Sequence, residues 1–355
     1  MRTNRKFFKK SKFLPIDKFF SNVLYDKKSG YYSSKIPFGR EGDYITAPNI
    51  STLYSEIIAI WIISTWEIFG KPKSFNIVEL GPGDGGLMRV ILEVSKKFPE
   101  FNKSKKIYLY EKNKNLIKKQ KNILNGNKIK WIHNFKSIKK GPIIFFGNEF
   151  FDAIPIKQFK KAKKNISEKY YSLKKDFSVQ EIFRNATPND MKLVNSFKTL
   201  KKLKFIEFPK LGFKILKEIV SKVLSSNGCI LLIDYGYENS RNQNTLQSVI
   251  KHKKNNLFDN LGKADITSHV NFTLLSEFFK KNNLKVKKTI TQREFLKSMG
   301  IMERASIIAK KMKFSDQSNL YFRLRRLLNP KSMGTLFKVI LAYKNDNSDK
   351  YYGFK

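Results

Sequence analysis

One cysteine and three histidines are all that the 355 residues hold of the soft metal ligands and crosslinkers. Cys229 has no second thiol to pair with, so a disulfide framework is excluded, and so is a Cys-rich zinc site. No metal site is expected. Cys229 lies in an apolar run, which reads as a buried thiol in a reducing compartment. Long apolar runs are lacking as well: the longest, Ile57 to Trp66, is bounded by Glu56 and Glu67 and reaches about half of what a bilayer crossing needs. Met1 to Lys12 is basic and free of acids but has no apolar h-region, which argues against secretion. The expected compartment is a bacterial cytoplasm, with a short presequence and the mitochondrial matrix as the minority alternative.

Acidic residues are also scarce, 29 against 71 basic ones, for a net charge of +42. Such a field attracts phosphate and invites a nucleic-acid reading. Arginine, the residue that clamps phosphate and reads bases with a bidentate fork, supplies only 11 of the 71. The other 60 are lysines spread along the whole chain, the background an AT-rich genome would leave. No dedicated nucleic-acid surface is expected. Hydrophobic residues at 41% and charged residues at 28% are ordinary for a folded chain, and the length suits one large elaborated α/β domain or two domains.

Residues 14 to 70 have helical spacing interrupted by a Gly- and Pro-marked loop; Ile16 to Leu24 and Thr52 to Phe69 are the helices, with Ser51 placed to cap the second. From residue 75 short apolar runs alternate with helical segments, the pattern of a parallel sheet with crossover helices. Strands are predicted at 75–80, 106–110, 128–132, 142–146 and 229–233, then near 284–291 and 336–343. Lys160 to Leu203 breaks the rhythm and reads as an insertion. Asn239 to Asn271 is too long for an ordinary loop, so it is expected to be functional or partly disordered.

The sharpest local signal is Glu79-Leu80-Gly81-Pro82-Gly83-Asp84-Gly85-Gly86 at the end of the first strand. Glycines there let the backbone turn tightly and approach a ligand, and the next helix offers unsatisfied N–H groups. The run fits both a dinucleotide fingerprint (Gly81, Gly83, Gly86) and the tighter Gly81, Gly83, Gly85 spacing of S-adenosylmethionine loops. Glu79 separates them: a pyrophosphate is repelled by a carboxylate so near, whereas the ammonium of S-adenosylmethionine is attracted. Glu111, ending the next strand, is placed to accept ribose hydroxyls. Asn148-Glu149-Phe150-Phe151-Asp152 leaves the fourth strand at the edge where α/β sheets place their active sites.

Gly30-Tyr31-Tyr32, Gly42 to Pro48, the glycine loop, Asn148 to Pro155, Asp234 to Tyr237, Ala264 to Phe272, Thr291 to Leu296 and Met333 to Phe337 occur in that order. The series is similar to the MidA-like family of class I S-adenosylmethionine-dependent methyltransferases, over about residues 14 to 343. The resemblance implies an α/β, Rossmann-like seven-stranded sheet in residues 71–345, a helical lead-in at 1–70, an insertion at about 160–203 before the fifth strand, and a tail at 346–355. It implies S-adenosylmethionine as cofactor, held by Glu79, Gly81, Gly83, Gly85, Glu111 and Asn148, with Asp43, Thr46 and His269 on the substrate side. Mitochondrial members methylate an arginine of a complex I subunit, so the implied partner is a protein. Glu149 and Asp152 are then the candidates to grip a guanidinium and localise electron density on its attacking nitrogen. The family usually has Glu after Ala-Pro, where this chain has Asn49. The competing expectations are a nucleic-acid or small-molecule methyltransferase on the same fold, and a cofactor-binding assembly factor without significant catalysis.

Overall fold

The computed structural model describes residues 4–9, 11–34, 42–43, 45–163, 165–239, 241–344 and 350–354. Parts of the predicted Pro37–Pro48 loop and of the 346–355 tail lie outside the described residues. The chain divides into two compact units that it enters alternately: residues 1–44, 151–217 and 237–278 form one, and residues 45–150, 218–236 and 279–355 the other.

The second unit is built on a sheet of strands β1 (Phe75–Leu80), β2 (Lys105–Tyr110), β3 (Ile129–Ile132), β4 (Ile143–Asn148), β5 (Gly228–Tyr237), β6 (Lys285–Val286) and β7 (Phe337–Tyr343). Their order is β6-β7-β5-β4-β1-β2-β3. Strands β1 to β5 run parallel, and β7 is antiparallel to β5 and to β6. The inner strands are apolar on both faces because helices cover both. One of these is Thr52–Ile68, whose apolar residues run almost all round it and bury Trp61, Ile62 and Trp66 in the core. Its N-terminus is capped by Ser51, whose hydroxyl accepts the Leu53 N–H at 3.3 Å.

This core explains where the lead-in ends. The helix that the sequence assigns to a lead-in through residue 70 packs within the sheet unit, and the boundary falls between residues 44 and 45. The strand expected at 284–291 is two short pieces, Lys285–Val286 and Ile290–Thr291, both against β7. Lys287, Lys288 and Thr289 separate them, and the Lys287 N–H still bonds to the Leu341 carbonyl of β7 at 3.0 Å.

Register places the chemistry. Leu80 pairs with Tyr110, Glu79 with Phe146, and Asn148 with Ile233, so β1, β2, β4 and β5 all end at one edge of the sheet. That edge carries Glu79, Glu111 and Glu149, the carboxyl edge where open α/β sheets bind ligands.

The first unit has an antiparallel sheet in the order Phe13–Pro15, Asn165–Leu173, Lys157–Ala162 and Phe205–Phe208, with Val179–Asn185 also pairing Asn165–Leu173. Its helix Ile16–Tyr25 buries Ile16, Phe19, Phe20, Val23 and Leu24, one face at helical spacing. Phe19 and Phe20 meet Tyr171 edge-on at 5.2 and 5.6 Å. Lys157 is buried among Glu168, Asp190 and Asp17, and Lys210 holds Asp190 at 2.6 Å. The 239–271 stretch contains a three-stranded sheet, Lys253–Asn255, Gln247–Ile250 and Asp265–Thr267.

Candidate active site

The glycine loop follows β1 directly. Gly81, Gly83 and Gly85 have φ of 64°, 57° and 88°, the left-handed region that side chains with a Cβ avoid. At Gly81 space is also closed: a Cβ would sit 3.0 Å from the Phe150 ring. Asp84 accepts the Gly86 N–H at 2.9 Å, which turns the chain into the helix Gly86–Ser95.

Glu79 is 3% exposed, and its Oε2 is buried with no hydrogen-bond partner among the described residues. Burial pushes its carboxyl up to about 8, and the charge of Asp84 adds to this. A buried carboxylate oxygen left unsatisfied among the described residues is a place for a ligand donor, ideally a cationic one. The chemistry of loop and acid fits S-adenosylmethionine, whose ammonium would be a donor of that kind.

Glu111 follows β2. Its Oε1 accepts the N–H groups of Lys112 and Asn113 at 2.7 and 2.8 Å, and burial holds its carboxyl above the usual range against these bonds. Beside it Gln120, fully buried, donates to the Gly83 carbonyl at 2.8 Å and accepts the Trp131 indole N–H at 2.9 Å. Its amide also reaches Glu111 Oε2 at 3.5 Å. Gln120 thus ties the glycine loop to the acid after β2. It was not among the residues picked from sequence; the signal was a polar residue one turn after Leu116 on the buried face of its helix. Trp131 serves this network through its indole nitrogen. His133 contributes Nδ1, 2.8 Å from the Glu111 carbonyl.

Asn148 ends β4, and both ends of its amide are engaged by protein. Its Oδ1 accepts the Tyr54 hydroxyl at 2.5 Å, and its Nδ2 donates to Glu149 Oε1 at 3.0 Å. The Ala47 N–H reaches the same Oε1 at 3.3 Å. Glu149 has φ 53°, unusual for a residue with a Cβ, and its own N–H bonds to the Ile233 carbonyl at 2.9 Å. The carboxylate is therefore held by two donors, Asn148 Nδ2 and the Ala47 N–H, on a backbone that is itself strained, a combination that marks functional positions. Tyr54 is fully buried, and desolvation followed by the charges of Glu149 and Asp234 keeps its hydroxyl protonated well above the usual range. Sequence reading took it only as part of a buried helix.

Thr46 precedes the short helix Ala47–Ile50, and its carbonyl accepts the N–H groups of Asn49 and Ile50 at 3.0 and 3.1 Å. Asn49 does not cap the helix that follows; Ser51 does. The Asn49 side-chain oxygen instead lies 3.8 Å from where a Cβ on Gly86 would be, beside the glycine loop.

The remaining candidates belong to the first unit. Asp43 is 2% exposed; its Oδ1 accepts the Lys251 N–H at 2.8 Å, its carbonyl accepts that of His252 at 3.0 Å, and Tyr31 donates to Oδ2 at 2.7 Å. Lys251 and His252 both have positive φ, so Asp43 ties down a tight hairpin turn that two side-chain-bearing residues form under strain. Asp152 is buried, and its carbonyl accepts the Ser268 N–H at 3.1 Å. Its charge, after burial, helps push Asp265 up to about 8; Tyr32 donates to Asp265 at 3.2 Å. His269 is half-buried, and its N–H meets Thr245 Oγ1 at 3.0 Å. Burial, then Arg241, lowers its imidazole pKa. Among the described residues no cluster of ligating side chains suits a metal ion.

Residues 57–290 match the model of a family described as "Putative S-adenosyl-L-methionine-dependent methyltransferase". Among curated proteins, the chain is 30% identical to a mitochondrial protein arginine methyltransferase NDUFAF7 homolog of Caenorhabditis elegans, over 78% of this chain and 70% of that protein. It is 28% identical to the mitochondrial protein arginine methyltransferase NDUFAF7 of Homo sapiens, over 95% of this chain and 82% of that one. Among solved structures, a Burkholderia thailandensis protein bound to S-adenosyl-homocysteine shares the fold with a TM-score of 0.79 and 20% identity, over 100% of this chain and 92% of that one. Built on this α/β fold, with the glycine loop and the acids of its carboxyl edge in place, the chain belongs to the family of S-adenosyl-L-methionine-dependent methyltransferases and uses that cofactor as methyl donor.

Proposed function

We propose that the enzyme methylates an arginine of a protein substrate, a respiratory complex I subunit being the first to test, and that Glu149 receives the guanidinium. The observation that carries this reading is the fixing of Glu149 Oε1 by Asn148 and Ala47, one residue past the end of β4. When bound, S-adenosylmethionine would supply a methyl group already activated on a sulfonium and leave as S-adenosyl-homocysteine, so the chain needs no strong base, only a carboxylate to pass to solvent the one proton that the methylated nitrogen gives up. Its work is to align the acceptor and to complement its charge. Glu79, the glycine loop and Glu111 are the proposed cofactor contacts, with Asn148 holding both Tyr54 and the reacting carboxylate. Guanidinium is a delocalised cation and a poor nucleophile. A carboxylate paired with its outer N–H groups localises electron density on the nitrogen that attacks, and Asp152 is the proposed second carboxylate.

The order of the seven strands on the main path of the sheet supports reading residues 71–345 as a class I methyltransferase fold, with the β-rich stretch around 160–203 as an insertion before the fifth strand. Thr46, Asp43 and His269 are proposed to shape the substrate side, Asp43 through the turn it holds. The NDUFAF7 relatives are mitochondrial proteins, which agrees with the matrix alternative; Cys229, buried and with its thiol pushed up by desolvation, suits either reducing compartment.

Glu149→Gln keeps shape and removes charge. Fold and S-adenosylmethionine affinity should survive, while methyl transfer to a protein substrate captured and sequenced by mass spectrometry falls by about 30- to 1000-fold, roughly 2 to 4 kcal/mol at the transition state. An undiminished rate on that substrate would remove Glu149 from the reaction.

A further inference from the structure

Arginine is rare in this chain, yet three of the 11 stand within four positions, Arg323, Arg325 and Arg326. A background that favours lysine everywhere else does not produce such a cluster, so the guanidinium itself is of use there. All three lie on the helix Phe314–Leu328, which buries Leu324, Leu327 and Leu328 against the core of its unit. At 100° per residue Phe322 points roughly 150° away from Leu324 and Leu327, with Arg325 and Arg326 flanking it at i+3 and i+4. Phe322 is 70% exposed and Phe314, at the start of the helix, 84%. Tyr321 and, on the preceding helix Ile301–Ala309, Ile307 are exposed as well. Lys310, Lys311 and Lys313 fill the connection between the helices, and from residue 305 to 343 the only acid is Asp316.

We propose that this outer helix face binds the surface of a bilayer rich in anionic phospholipid. Protruding phenyl rings have no polar group to satisfy and gain by entering the acyl boundary, tyrosine suits the interface, and guanidinium and ammonium groups meet lipid phosphates. Other occupants fit less well. A second copy of the chain would oppose two strongly basic faces. A nucleic-acid strand would find phosphate contacts but no stacking slot, since the two phenyl rings are about 12 Å apart along the helix at 1.5 Å per residue. An acidic protein is the remaining competitor.

The test is co-sedimentation of the full chain with vesicles of phosphatidylcholine plus phosphatidylglycerol, against phosphatidylcholine alone, at physiological salt. Binding should require the anionic lipid. Phe314→Ser with Phe322→Ser should weaken it at least about tenfold, and Arg323→Gln, Arg325→Gln and Arg326→Gln together by about ten- to a hundredfold. Neutralising Lys201, Lys202 and Lys204, also exposed, removes the same charge elsewhere and should weaken it about threefold or less. All variants should keep their melting temperature and S-adenosyl-homocysteine affinity, which separates a failed surface from a failed fold. Equal losses for the two triple variants, or no effect of the paired Phe changes, would mean attraction to the overall +42 charge and overturn the proposal. So would absent vesicle binding, with the Phe residues required instead for capture of an acidic protein or of RNA.

Discussion

Glu79→Gln tests the cofactor site through protons as well as affinity. Glu79 titrates near 8 in the folded protein against 4.5 for a free side chain. Between those values the folded state carries a proton there that the unfolded state has lost, so stability falls as pH rises from about 4.5 to about 8 and levels off above. The full fall attributable to this group is on the order of 5 kcal/mol. Asp265, also raised to about 8, adds a similar fall in its own unit, so the measure is the difference between wild type and variant. Without cofactor, wild type should lose melting temperature between pH 5 and pH 8 by clearly more than Glu79→Gln does. Binding gives the second readout. At pH 7 a group titrating near 8 is about 0.9 protonated, and a neighbouring ammonium would favour the carboxylate, so S-adenosylmethionine binding should release up to about 0.9 proton. Calorimetry in buffers of different ionisation enthalpy measures this directly. Overlapping stability profiles and no proton release on binding would refute both the buried charge and its pairing with the ammonium.

Gly83→Val should abolish S-adenosylmethionine binding, read by calorimetry, because a β-branched residue resists positive φ in the loop. Tyr54→Phe deletes one buried hydrogen bond to Asn148; we expect about 1 kcal/mol loss of stability by denaturant titration and about a tenfold slower methyl transfer with cofactor affinity retained. Lys157→Met leaves Glu168 buried without its cation, while Asp190 keeps Lys210, and should cost about 3 to 5 kcal/mol in the same titration. DNA and RNA should bind weakly, without sequence preference, and dissociate steeply between low and physiological salt; tight selective binding in a filter assay would favour a nucleic-acid substrate.

The strands β1 to β5, the helices between them and the glycine loop are legible in the sequence because each follows from a local cause. Apolar runs on two faces require a covered strand, and Gly81, Gly83 and Gly85 stand where the backbone must take positive φ. Glu79 stands out in the sequence for a local cause too, as a lone acid inside an apolar strand, and it is buried. Three features came only with the tertiary structure. The two units interleave in sequence, so no composition change marks residue 44 or 150. Tyr54 meets Asn148 across 94 residues, and Asp43 meets Lys251 across 208. Gln120 joins the loop to Glu111 from a helix that otherwise reads as an ordinary crossover. Such pairs depend on strand register and on which helix lies over which strand. A local pattern shows that a polar group is buried, and only the packed structure decides which distant partner satisfies it.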